Sequence, residues 1–208
     1  MANERTEMDM VQRLQNRFGS RWTKVKFYKT SFQGDSVPPA GGGRFCQAIV
    51  ESYRRPLIAT PHSITCPGAQ SAFGWNQTSQ PEMVTNFCSE LGFSQEQAET
   101  IIAQIPRLEK GYGGIGLNQK DVPDVFVSHL QPQQVMTLVQ AYQQETGDEL
   151  KMGLASVASI CGHGVVKAFV KQEIALSFGC PNARKYGEVS RDRLTVAVPF
   201  GLAKALAG

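Results

Sequence analysis

The stretch "CQAIVESYRRPLIATPHSITCP", Cys46 to Pro67, decides how the chain is read. Its apolar residues predict a helix over Ala48 to Tyr53 and a strand over Leu57 to Thr60, followed by Cys66-Pro67. A second stretch, "CGHGVVKAFVKQEIALSFGCP" from Cys161 to Pro181, runs in the same order. There the helix covers Val165 to Val170 and the strand Ile174 to Phe178, before Cys180-Pro181. Cys46 precedes Cys66 by twenty positions and Cys161 precedes Cys180 by nineteen, so the spacing repeats along with the order. Pro67-Gly68-Ala69 and Pro181-Asn182-Ala183 follow, and each copy closes on an aromatic-glycine pair, Phe73-Gly74 or Tyr186-Gly187.

Outward from these stretches the parallel continues. Val11, Leu14 and Phe18 lie at helical spacing, Gly19 caps them, and Val25, Phe27 and Tyr28 read as a strand. Val135, Leu138, Val139 and Tyr142 form the matching helix, closed by Gly147, with Leu150 and Met152 alternating like a strand. The expected fold is therefore α/β: an internally duplicated, pseudo-two-fold domain with a mixed sheet, packed helices and an inserted helical pair. Within a single domain, 1–208, the half-repeats are 8–79 and 132–208, separated by a helical insertion at 80–105 and linking strands at 110–130. The insertion is marked by Pro81 at a first helical position and by a capping box of Ser94 with Gln97. The linking strands centre on Ile115 and on Val125 to Val127.

Bulk composition narrows the function classes. A net charge of +3 with scattered Lys and Arg gives no electrostatic footprint for nucleic acid. No apolar run reaches membrane-span length; the nearest, "LTVAVPFGLAKALAG", is short and carries Lys204. No apolar h-region marks a secretory signal, so a cytoplasmic protein is expected. In a reducing compartment, five cysteines at repeated spacing point to metal or catalytic thiols rather than to disulfides.

If two copies face one another across an approximate two-fold axis, Cys46, Cys66, Cys161 and Cys180 meet near one point. Proline suits the first helical position, which places Cys66 and Cys180 at N-caps, where exposed N–H groups favour thiolate. Cys46 and Cys161 also precede helices, Cys46 behind Gly41-Gly42-Gly43. Four thiolates suit an iron–sulfur cluster, [4Fe–4S] foremost, or structural zinc, though the Cys-x2-4-Cys knuckles usual for zinc are absent from the sequence. Two further readings stay open: a cysteine-dependent enzyme using a low-pKa Cys-Pro thiol at Cys66 or Cys180, and a small-molecule binding module. His62 and His163 are placed to act beside a cluster or on a substrate, against the plainer reading of histidines bonded to loop backbone. Cys88, with Val84, Phe87 and Leu91, reads as core, as do Trp22 and Trp75. His129, at a strand end, has no distinguishing context. "GYGGIG", Gly111 to Gly116, matches G-x-G-x-x-G but follows a helix and opens none, so it is not a dinucleotide fingerprint.

The segments "VKFYK", "FCQAIV", "ITCPGAQSAFG", "IPRL", "PDVFV", "QVMTLVQAYQQETG", "FGCPNARKYG" and "VAVPF" together resemble domain-of-unknown-function family 169, an uncharacterised archaeal cysteine-rich group. The resemblance implies a shared role for Cys46, Cys66, Cys161 and Cys180 but brings no activity with it. The leading expectation is an iron–sulfur protein for electron transfer, sensing or small-ligand activation, its cluster held between the half-repeats. A redox partner protein, a small ligand and a homodimer are compatible partners; nucleic acid and membrane are not.

Overall fold

The computed structural model describes residues 2–30, 43–76 and 80–208, which leaves Gly41-Gly42 outside the described residues. Its frame is one six-stranded sheet. The strands are β1 (Trp22–Tyr28), β2 (Leu57–Ala59), β3 (Gly114–Leu117), β4 (Val125–Leu130), β5 (Ala175–Ser177) and β6 (Leu194–Pro199), in spatial order β2-β3-β1-β4-β6-β5. Side chains alternate across a strand, and here both faces are covered. Val25, Phe27, Val125, Val127 and Ala197 enter one core, while Trp22, Phe126, Leu130, Val196 and Val198 enter the other. Double burial explains why β4 reads as an almost unbroken apolar run although its neighbours are antiparallel.

Helices α1 (Ala2–Phe18), α6 (Pro132–Thr146) and α9 (Phe200–Leu206) cover the second face through Leu14, Phe18, Leu138 and Leu206. The first face carries α2 (Phe45–Ser52), α3 (Pro67–Ala72) and a π-helical turn (Cys161–Val166) that continues as α7 (Lys167–Lys171). The helical pair is α4 (Gln80–Leu91) and α5 (Gln95–Ala103). Ser94 Oγ accepts from Gln97 N–H at 3.2 Å and Gln97 Oε1 accepts from Ser94 N–H at 2.9 Å, closing the capping box read from the sequence.

The α/β class stands, but the sheet is not mixed: every pairing among the described residues is antiparallel. The reason lies in two split crossovers. β1 and β2, joined through α2, both run antiparallel to β3, which fills the slot between them. β4 and β5 are likewise both antiparallel to the intervening β6. Helical connections of this kind join strands of like direction, yet no two like strands become neighbours. The alternation at Leu150 and Met152 is not a strand either. That segment joins no sheet, and Met152 is 41% exposed.

"GYGGIG" is explained by packing. Gly116 pairs with Lys26 across β1, and a Cβ there would lie 2.8 Å from the Tyr28 ring.

Two substitutions separate packing from backbone conformation. Phe126→Ala, at a fully buried site stacked near Phe200, is expected to cost about 3–5 kcal/mol. Gly147→Ala, at the left-handed cap of α6 (φ +74°) where an added methyl meets nothing within 4 Å, is expected to cost about 1–2 kcal/mol. Urea unfolding monitored by far-UV circular dichroism measures both.

Candidate four-thiol site

Each cysteine is set by local structure. Cys46 sits in the first turn of α2, behind its N-cap Arg44. Cys66 is the N-cap of α3, with Pro67 at the first helical position. Cys180 plays the same part for α8 (Pro181–Tyr186), where its Sγ accepts from Ala183 N–H at 3.4 Å. Cys161 opens the π-turn, whose wide spiral shows in bonds from His163 N–H to Ala158 O (3.1 Å) and from Val165 N–H to Ile160 O (2.8 Å). Such turns are rare and concentrate at functional sites.

Close backbone approaches pull these elements together. The carbonyl of Gly43 accepts from both Thr65 N–H (2.7 Å) and Cys66 N–H (3.2 Å), tying the entry of α2 to the entry of α3. A Cβ on Gly162 would come within 2.7 Å of Ile105 Cγ2, so glycine lets the π-turn seat against Ile105. A Cβ on Gly187 would come within 2.7 Å of Cys46 Cβ and 3.3 Å of its Sγ, so the end of α8 rests on Cys46 itself. The Cys46 thiol donates to Asn182 O at 3.9 Å.

The four thiols, all free, are electrostatic neighbours. Burial pushes the Cys46 thiol up to about 12, with Cys180 and Cys66 adding to it and the Gln47 N–H and Arg44 opposing. Burial also holds Cys161 well above its ordinary value, and Cys66, Cys180 and Cys46 each raise it further. Cys66 is raised as well: burial outweighs the backbone N–H groups of Ala69 and Gly68 and the charge of Arg44. The N-cap position therefore does not make Cys66 a low-pKa thiol. α3 is only six residues long, too short for its dipole to offset burial.

Among the described residues, no group of three or more His, Cys, Asp or Glu side chains has the spacing that would hold a metal ion. Instead the thiols border open space. Cys66, Cys161 and Cys180 line a cavity of about 660 Å³, while Cys46 lies behind its wall. Asn86, Phe87 and Glu90 of α4 line it too, so the inserted helical pair forms part of the site. Arg44 and Lys185 complete it, at 4.0 and 5.0 Å from the centre of the Tyr186 ring between them.

The histidines do not join the thiols in this cavity. His62 is exposed on the turn after β2. His163 lines a separate cavity of about 410 Å³ with Gln104, Leu154 and Lys167, and burial and Lys167 lower its pKa. Cys88 is half-buried on α4 and outside the core cluster, unlike the expectation; Met83 is the buried residue of that helix. Trp22 is buried in the second core, whereas Trp75 packs half-buried against the first, its indole N–H donating to Tyr112 O at 2.7 Å. The sequence reading missed Arg44, Lys185, Tyr186 and the α4 wall, because nothing in their local pattern marks convergence on a distant cysteine.

Fold and site define an α/β protein with an antiparallel sheet and a partly buried four-cysteine cluster at an open cavity. The chain belongs to the DUF169 family, described as uncharacterised ArCR, whose pattern it matches over residues 15–208. No curated protein and no solved structure matches it. No described helix is long and apolar enough to cross a membrane.

The Cys46 thiol predicts a pH dependence with a definite sign. Its pKa is about 12 in the folded protein against an ordinary 9.0, so between these values the unfolded chain has released a proton that the folded one retains. Stability of the metal-free protein is expected to be at its full value below pH 9.0 and to fall as pH rises toward about 12. Denaturant unfolding across that interval measures the slope, which Cys46→Ser should make shallower.

Proposed function

We propose that this chain is an iron–sulfur cluster-binding protein, holding a [4Fe–4S] cluster through Cys46, Cys66, Cys161 and Cys180. Its role on this reading is electron transfer, redox sensing or activation of a small ligand. The observation that carries the proposal is the gathering of four thiols, two buried and two half-buried, from positions far apart in the chain, into mutual electrostatic reach. Burial and neighbouring thiols oppose deprotonation of Cys46, Cys66 and Cys161. Cationic iron reverses the sign of that interaction, so protons leave as metal enters. A cluster also differs from an ion in size. Its sulfide-bridged core stands between the thiolates, so its ligands share a neighbourhood without closing on one point.

The surroundings suit a net anionic assembly. Arg44 already favours thiolate at Cys46 and Cys66, and Lys185 lines the same cavity. The Ala183 N–H to Cys180 Sγ is a hydrogen bond of the type that tunes cluster potentials. When bound, a cluster supplies one-electron storage and, at any iron not saturated by thiolate, a Lewis-acid position. Three thiols on the open cavity with Cys46 behind favour activation of a small ligand over purely buried electron storage. The Cys-Pro helix after an edge strand on each flank, at β2 and at β5, supports an origin by internal duplication.

Anaerobic purification with iron and acid-labile sulfide assays tests the proposal. The expected protein is brown, with visible charge-transfer absorption that is lost in Cys66→Ser, Cys161→Ser and Cys180→Ser and kept in Cys88→Ser. Cluster retention in Cys46→Ser marks a three-thiolate site with an open iron; its loss marks four ligands. Protein that takes up neither iron nor sulfide on anaerobic reconstitution overturns the reading. Selective alkylation of Cys66 or Cys180 at neutral pH would then indicate a cysteine-dependent enzyme, and ordinary thiols a small-molecule binding module.

A further inference from the structure

A second cavity, of about 380 Å³, is separate from the one the cysteines line. It lies where β1 and β6 begin and β4 ends, and its lining includes Ser20, Arg21, Tyr53, His129, Glu188 and Arg193. Its volume is that of a small-molecule site. Three observations give it a chemistry.

The first is His129. It is 7% exposed, its Nδ1 lies 3.0 Å from Thr195 Oγ1, and its Nε2 is buried with no hydrogen-bond partner. Buried polar atoms are almost always partnered, and the exceptions call for an explanation. Burial and the charge of Arg193 lower its pKa to about 4, so the ring is neutral at physiological pH and carries one proton. When Nδ1 accepts from the Thr195 hydroxyl, that proton sits on Nε2 and requires an acceptor.

The second is the placement of Arg193. Its Nη1 donates to Ser20 Oγ and to His129 O, both at 3.1 Å, and Ser20 Oγ also donates to His129 O at 2.8 Å. These bonds fix the guanidinium beside the histidine while committing one of its nitrogens. The third is Arg21, exposed, with its guanidinium carbon 5.5 Å from the centre of the Tyr53 ring. Glu188 contributes the one carboxylate among the residues lining the cavity, so two guanidinium groups outnumber it.

We propose that this cavity binds a small oxyanion, a carboxylate or a phosphate, with Arg21 and Arg193 as cationic donors and His129 Nε2–H as a neutral one. Planar guanidinium forks suit both groups, and an oxyanion oxygen supplies the acceptor that Nε2–H lacks. The site is independent of the cysteines and of any cluster. Ser20 and Glu188 reach it in left-handed backbone conformations (φ 62° and 53°), which shape its rim.

Ring spectra of the full-length protein labelled with carbon-13 histidine test this. The His129 signal is identified by elimination, using His62→Gln and His163→Gln at the two less buried positions. Phosphate and malonate are titrated separately against chloride at matched ionic strength. The expected result is a saturable shift of the His129 signal with at least one of them, the other two histidines staying still. Arg21→Gln, at an exposed position, should weaken the midpoint about tenfold or more. Saturation by phosphate alone assigns a phosphate-bearing ligand, by malonate alone a carboxylate, and either supports the site. No saturable shift with either anion, or an unchanged midpoint in Arg21→Gln, overturns it.

Discussion

The register of β1 against β4 is the constraint on which the rest depends. Val25 faces Val125 and Trp22 faces Ser128, which sends Val25, Phe27 and Val127 into one layer and Trp22, Phe126 and Leu130 into the other. A slip by one residue would exchange the two sets and leave neither layer matched to its helices. From this central pair the sheet extends outward, 1-3-2 on one side and 4-6-5 on the other. Each edge strand, β2 and β5, is followed by a Cys-Pro helix start.

Those two helix starts approach one another because they share a layer, over the sheet face that carries Val25 and Val127. Glycines then close the remaining distance. Gly162 admits the π-turn against Ile105, and Gly187 admits the end of α8 against Cys46. Alanine at Gly187 would force α8 away from Cys46. The outcome is a site built from four separate pieces of backbone, with α4 standing across the cavity.

The two polar sites differ in electrostatic logic. At Cys46, Cys66 and Cys161, burial and neighbouring thiols keep protons on. Around His129, burial and Arg193 keep a proton off, and an anion offsets the local positive field. Gly187 and Glu188 stand at the junction, the first packed on Cys46 and both lining the His129 cavity.

The sequence by itself determined the local elements: the helices at α2, α4, α5 and α6, the cores of strands β1 to β5, the capping box at Ser94, and the N-cap positions of Cys66 and Cys180, while β6 is not read as a strand. These are set by periodicity, proline and short-range hydrogen bonds, which act within a few residues. Tertiary structure alone decided the antiparallel sheet, since β3 and β6 enter between strands that local pattern joins as neighbours. It also left the period-two pattern at Leu150 and Met152 outside the sheet, with Leu150 packed half-buried on the second core and Met152 exposed. Likewise it separated His62 and His163 from the cysteine cavity and placed His129 and Arg193 together, through a β4–β6 register that no local signal encodes. Long-range pairing decides which surfaces meet, and that information is spread over the whole core rather than written at the residues that come to share a site.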